Sequence, residues 1–321
     1  MKCASFFAGV GGIDIGFDNA GFETIYANEL DKFAATTLKE NFKFTIDNRD
    51  IRDVKSSEIP DFDIMLAGFP CQAFSVAGYR QGFDDEKGRG NLFFELERIF
   101  TDKQPPIIFL ENVKNLVNHD KGNTFKVILD TLHKHGYHVA HSVLNASEYG
   151  NIPQNRERIY IVCFKDKQAF ERFKFPDPIP LITEIKDMLE DEKTIESRYF
   201  YTEKTPFFNQ LVEDVTDAET LYQWRRQYVR ANKSNLCPTL TANMGTGGHN
   251  VPLLNVQKKP DTIRKLTPRE CFNFQGYPKN YKLPKDVSNA NLYKQAGNSV
   301  VIPVIERIAQ QIKEAIEPTQ K

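Results

Sequence analysis

The chain has 321 residues, of which 40% are hydrophobic, 26% charged and 12% aromatic, with 25 Phe and 12 Tyr. That profile excludes intrinsic disorder, a collagen-like repeat and a disulfide scaffold, and no apolar run approaches the roughly 20 residues a membrane-spanning helix needs. The net charge of −1 conceals an uneven distribution: between Gln223 and Lys285 stand 12 basic residues and only two acids, Asp261 and Glu270. An excess of that kind suits one face built for a polyanion, and equally a solvated basic surface. The length predicts about two domains, and the first residues run straight into a strand-like segment without the layout of a signal peptide. The expectation is a soluble, cytoplasmic protein with no membrane contact.

In chain order, Ala4–Phe7 reads as a strand, followed by glycines and a helical pattern through Ile13, Ile15, Phe17 and Ala20. Thr24–Ala27 is the next strand, a helix lies near Asp31–Asn41, and Asp63–Ala67 is a further strand. A long loop reaches about Gly90, then a helix near Leu92–Thr101, a strand at Ile107–Leu110 and a helix at Thr124–His135. Tyr137–Leu144 and Arg158–Phe164 close the series. Strands alternating with helices predict an α/β fold, an open and mostly parallel sheet covered on both faces. After Lys165 the rhythm stops: Phe175–Pro180 reads as a linker, and an acidic stretch (Glu184–Glu219) precedes the basic window. From about Asn289 a helix returns, with Val301, Val304, Ile305, Ile308 and Ile312 on one face. The predicted organisation is a discontinuous catalytic domain of residues 1–182 and 289–321, with a small loop-rich domain at 183–288.

Five cysteines (Cys3, Cys71, Cys163, Cys237 and Cys271) are widely spaced, with no C-x-x-C pair, which argues against both a disulfide framework and a zinc site. No metal is expected. The glycines of Phe6-Phe7-Ala8-Gly9-Val10-Gly11-Gly12 allow close approach to a ligand, but a dinucleotide fingerprint needs glycine where Asp14 stands. A nucleoside-bearing cofactor other than NAD fits better. Glu29 ends the second strand, where a carboxylate can accept both ribose hydroxyls, and Asp50 is placed to accept an adenine amino group. Cys71, after Pro70 at a strand mouth, is placed like a nucleophile; Glu111 ends the next strand, and Arg156 and Arg158 precede another. Each residue alone also suits an ordinary core or surface role. Together they set a thiol, a carboxyl and two guanidiniums around one sheet edge, where ligands bind in open α/β sheets.

The series F-A-G-V-G-G, G-F-P-C-Q-A-F-S, E-N-V, Q-N-R-E-R, R-K-L-T-P-R-E-C and G-N-S-V resembles the ordered motifs of the DNA cytosine 5-methyltransferases. It spans Phe6 to Val300, at the length of a compact bacterial member of a type II restriction–modification system. The resemblance implies a Rossmann-like methyltransferase fold plus a small recognition domain. It implies S-adenosyl-L-methionine as methyl donor, leaving S-adenosyl-L-homocysteine, and double-stranded DNA as substrate. By the same resemblance Cys71 matches the nucleophile that adds to cytosine carbon 6, and Glu111 the carboxyl at ring nitrogen 3. Arg158 matches the contact to the base carbonyl, with Arg156 assisting nearby. Phe6, Gly9, Gly11, Gly12, Glu29, Leu30, Asp50, Ile51, Pro70, Asn298 and Ser299 match the cofactor pocket; Leu30 stands where relatives often carry an aromatic.

For DNA the resemblance points to Gln72 and Ser75, to the glycine-bearing loop from Ser75 to Gly90, and to the basic window as the recognition region. There Thr239, Thr241, Asn243, Gly245 and Gly247 form the most distinctive stretch, and Arg225, Arg226 and Arg230 suit either phosphate contacts or guanine readout. The target base must flip out of the duplex to reach Cys71. The expected enzyme is a monomer at the bacterial nucleoid, with a restriction endonuclease as functional rather than physical partner. The competing readings are an RNA (tRNA) cytosine-5 methyltransferase of the same fold, a nucleotide-dependent oxidoreductase, which Asp14 and the Cys71/Glu111 pair oppose, and a DNA-binding regulator with a dead active site, which intact Cys71, Glu111 and Arg158 oppose.

Overall fold

The computed structural model describes residues 1–70, 92–232, 234–245 and 251–317. The chain packs into two compact units. The first comprises Met1–Leu144, Glu157–Asp177 and Val304–Lys321, and the second Asn145–Arg156 and Pro178–Pro303.

The first unit is built on a seven-stranded sheet of β1 (Lys2–Phe6), β2 (Glu23–Asn28), β3 (Thr45–Asp47), β4 (Ile64–Gly68), β5 (Ile107–Val113), β6 (His138–Asn145) and β7 (Glu157–Phe164). Their order is β3-β2-β1-β4-β5-β7-β6. β1 to β5 pair parallel and β7 runs antiparallel to β5. Central parallel strands are covered on both faces, so Ile64–Ala67 and Ile107–Leu110 are buried without alternation. Four helices follow strands or the loops after them: α1 (Gly12–Asn19), α2 (Lys32–Asn41), α3 (Leu92–Lys103) and α4 (Asn123–Lys134). α4 shows the helical period: Phe125, Ile128 and Leu132 are buried while Lys126, Asp130 and Lys134 are exposed. The sheet order reverses between β1 and β4, which makes the carboxyl ends of these strands the ligand-binding edge.

The apolar stripe of the C-terminal segment is present, with Val304, Ile305, Ile308 and Ile312 buried. The returning helix is, however, two helices, Asn289–Asn298 and Ile302–Ile316, parted at Ser299, whose backbone is extended. A continuous helix would place Pro303 in its interior, where it lacks an N–H and clashes with the preceding turn; starting again at Ile302 puts it in a first turn, where neither matters.

The second unit holds a small antiparallel sheet in the order β11-β10-β8-β9, from β8 (Tyr222–Trp224), β9 (Val229–Ala231), β10 (Leu253–Leu254) and β11 (Arg264–Lys265). Trp224 stacks on Phe207 with ring centroids 4.3 Å apart over a core of Leu211, Val215, Tyr222, Leu253 and Ile263. Arg264 belongs to the basic window but faces no solvent. It is fully buried, bonded to Glu192 at 2.5 Å and to Glu270 at 2.8 Å. That window is therefore not one uniform cationic face. Residues 145–156, 178–182 and 289–303 also pack with the second unit, where the sequence predicts boundaries at 182 and 289. Gln154 and Arg156 explain the first of these segments, because their side chains bond to the backbone of residues 240–299.

Candidate active site

At the end of β1 the chain turns through three residues of positive φ, Phe7 (54°), Gly9 (58°) and Gly11 (79°). Gly11 caps α1, and a Cβ there would lie 2.4 Å from the Phe42 ring, so the turn admits only glycine. Gly12 is the first, buried residue of the helix. A Cβ at Gly9 would meet nothing within 4 Å, which leaves the main chain open to a ligand. Glu29, one residue past β2, reaches across to this turn: its Oε2 accepts the Gly9 amide at 2.7 Å and its Oε1 the Asp31 amide at 2.7 Å. Two amides fix the direction of a carboxylate whose oxygens offer about four acceptor sites. Leu30 beside it is 61% exposed.

Asp50 caps a short 3-10 turn, Ile51–Asp53, accepting from the Arg52 amide at 3.0 Å and from its guanidinium at 2.9 and 2.5 Å. The Arg52 bonds hold its carboxyl below the usual range, so it is a charged acceptor at neutral pH. Ile51 is buried. Phe6, assigned to the cofactor from sequence, is 1% exposed and packs between Tyr26 and Phe62. Its neighbour Phe7, with a left-handed backbone, is partly exposed and packs against the edge of the same core; sequence reasoning did not single it out.

β5 and β7 carry the candidates Glu111 and Arg158. Val113 pairs with Arg158, and Glu111 lies two residues back on the same face, so antiparallel register sets Glu111 and Arg158 diagonally adjacent. Their Oε1 and Nε are 3.1 Å apart, with the two side chains only 10% and 13% exposed. Asn112, between them in sequence, faces the other way and donates to the Phe69 carbonyl at 2.8 Å. It thereby pins the turn that leads from β4 to the exposed Pro70. Cys71, Gln72, Ser75, the loop to Gly90 and Gly247 lie outside the described residues.

Arg156 points elsewhere. It is 3% exposed and donates to the carbonyls of Leu240 (2.8 Å), Gly297 (3.0 Å) and Ser299. Its guanidinium is engaged in joining segments of the second unit, and the structure does not bring it into the Glu111–Arg158 pair. Gln154 acts beside it, donating to Phe274 O at 2.6 Å and accepting the Leu240 amide at 3.3 Å. Leu240 and Met244 are buried anchors, so Thr241 and Asn243 between them are exposed, their side chains bonded at 2.8 Å. Thr239 donates to Asn155 O at 2.5 Å, and Gly245 lies against Tyr293. Asn298 is exposed, and the Ser299 hydroxyl bonds that of Tyr277 at 2.6 Å. Arg225, Arg226 and Arg230 are exposed on and beside the β8–β9 turn, with Arg225 and Arg230 both donating to Gln223 Oε1 at 3.1 Å.

Among the described residues, no cluster of three or more His, Cys, Asp or Glu is placed to hold a metal ion, and no helix is long and apolar enough to cross a membrane.

The sheet order, the glycine turn and the carboxylates at the strand ends define an S-adenosylmethionine-dependent methyltransferase fold. S. pombe Dnmt2 methyltransferase superposes with a TM-score of 0.76 over 99% of both chains; at 18% identity that likeness establishes the fold alone. Residues 1–314 match the family described as C-5 cytosine-specific DNA methylase. The type II methyltransferase M.Bsp6I of Bacillus sp. (strain RFL6) is 60% identical, covering 97% of this chain and 98% of its own. M.HhaI of Haemophilus parahaemolyticus is 40% identical, covering 97% and 94%. The chain belongs to the C-5 cytosine-specific DNA methylases. It is an enzyme that methylates carbon 5 of cytosine in DNA, and its family takes the methyl group from S-adenosylmethionine.

Proposed function

We propose that this enzyme, as a monomer, flips one cytosine out of a short specific sequence of duplex DNA and methylates it through a covalent Cys71 adduct. The observation that carries the reading is the buried Glu111–Arg158 pair at 3.1 Å, a carboxyl and a guanidinium on one face at the end of the sheet. Carbon 5 of cytosine is too weak a nucleophile unaided. Bond formation between the Cys71 thiolate and carbon 6 makes the ring an enamine, whose carbon 5 then attacks. Glu111 at ring nitrogen 3 stabilises the charge that develops, and Arg158 holds the base carbonyl. Loss of the carbon 5 proton and of Cys71 frees the product. Elimination among the thiols supports Cys71: Cys3, Cys163, Cys237 and Cys271 are buried, and burial pushes each thiol up, away from the reactive thiolate.

S-adenosylmethionine, when bound, supplies an electrophilic methyl group on its sulfonium. The open main chain at Gly9, the amide-fixed Glu29 and the charged Asp50 fit its nucleoside: Glu29 takes the ribose hydroxyls, Asp50 the adenine amino group, and Leu30 and Ile51 give apolar contacts. Arg225, Arg226, Arg230, Thr241 and Asn243 face the DNA. The role that follows is protection of host DNA at the bacterial nucleoid from a companion restriction endonuclease.

The test is incubation with S-adenosylmethionine and duplex DNA, with tRNA in parallel, followed by base-resolution mapping of 5-methylcytosine. Methyl groups at one short DNA motif are expected; methylation confined to tRNA would overturn the substrate. Cys71→Ala should abolish transfer and leave DNA and cofactor binding in place, and near-normal turnover would refute the covalent route.

A further inference from the structure

Arg98 lies on α3, and four hydrogen bonds direct its guanidinium. Nη2 donates to the carbonyls of Ile51 at 3.0 Å and Val54 at 2.9 Å, Nη1 to the Ser56 hydroxyl at 3.2 Å, and Nε to Glu95 at 2.9 Å. The three acceptors besides Glu95 belong to one stretch, residues 51–56, which follows Asp50 directly. That stretch begins with a 3-10 turn of three residues, in which the Ile51 carbonyl also accepts the Val54 amide at 3.2 Å. One planar fork thus ties the backbone carrying Asp50 and Ile51 to a twelve-residue helix whose Phe93, Leu96, Ile99 and Phe100 are buried in the core. A lysine ammonium, a single point charge, does not span three acceptors in this geometry.

We propose that Arg98 is the positioning residue for the adenine end of the cofactor site. It sets the place of Asp50 and Ile51 without touching the cofactor. The inference rests on the reading of Asp50 as acceptor of the adenine amino group.

The test is titration of S-adenosyl-L-homocysteine, and of its analogue lacking the adenine 6-amino group, into wild type, Arg98→Ala and Arg98→Lys. Lys103→Ala on the same helix, whose ammonium pairs with the exposed Asp61 carboxylate and makes no bond to residues 51–56, is the control. Wild type should prefer the amino-bearing ligand. Arg98→Ala should bind it about tenfold more weakly, the scale of one charge-assisted hydrogen bond, and should lose the preference. Arg98→Lys should fall between them. In turnover, KM for S-adenosylmethionine should rise by a similar factor, with kcat and KM for DNA within about twofold. A merely structural role would lower stability and weaken both ligands alike, and that result, or unchanged binding in Arg98→Ala, overturns the proposal. Wild type that binds neither ligand would instead refute the cofactor reading itself, and this inference with it.

Discussion

Replacing Arg158 by alanine tests the chemistry most directly, because it removes one partner from a pair whose side chains are about nine-tenths buried. Two separable losses are expected. On the proposed mechanism Arg158 faces the charge that develops on the base, and loss of one such donor lowers kcat by about 10² to 10³, or ~2.7–4 kcal/mol. In the folded protein Glu111, 8% exposed, loses the Arg158 guanidinium. Breaking a buried pair costs about 3–5 kcal/mol, and partial exposure puts this one near or below the lower bound. The double variant Arg158→Ala with Glu111→Gln separates the two effects, since it removes the buried charge but not the catalytic defect. Stability by urea unfolding should recover by ~1–2 kcal/mol relative to Arg158→Ala, as coupled neighbours do, while methyl transfer stays low. Single-turnover transfer to duplex DNA reads the chemical step. Retention of kcat within about threefold in Arg158→Ala would refute the role of the pair, and an unrecovered double variant would refute their coupling.

Two further outcomes follow from buried groups. Asp14 is fully buried, takes a hydrogen bond from Ser5 at 3.2 Å, and burial, reinforced by Asp18, pushes its carboxyl up to about 7 from an ordinary 3.8. Between those values the native protein holds a proton that the unfolded chain releases, so this group's contribution to stability falls as pH rises, by ~1.4 kcal/mol per unit and roughly 4 kcal/mol in all. Asp14→Asn should therefore gain on wild type from about pH 4 to about pH 7 and level off above, and parallel stability–pH curves would contradict the assignment. Gly297→Ala would set its Cβ 2.2 Å from the Thr241 carbonyl carbon and 2.5 Å from the Ala242 nitrogen, backbone atoms that cannot swing aside. A loss of about 2–3 kcal/mol is expected in chemical unfolding, and an unchanged midpoint would mean that these segments do not approach so closely.

How much could be read beforehand depended on where each residue's partners lie. The parallel strands were legible because burial on both faces makes them continuous apolar runs, and Glu29 and Glu111 stood out as polar residues ending such runs. The antiparallel direction of β7 was not legible, since an apolar run does not encode its orientation. Burial of β1 on both faces likewise hid which of Phe6 and Phe7 is the more exposed; the positive φ of Phe7 and its partial exposure separate them only in the structure. Arg156 read as a companion of Arg158 because both stand in Q-N-R-E-R, yet its acceptors lie 84 to 143 residues away, and that distance also moves the boundary between the units. Arg264 read as surface charge for the same reason, because Glu192 lies 72 residues upstream in the acidic stretch. Arg98 left no signal at all, because two of its acceptors are main-chain carbonyls, which every residue possesses. Sequence thus exposes the candidate groups for substrate, whose side-chain chemistry is rare at a strand end, and hides those that hold the backbone, whose partners are common. Residues of the second kind, Arg98 and Arg156 among them, are where substitution should change cofactor or DNA affinity without altering the chemical step.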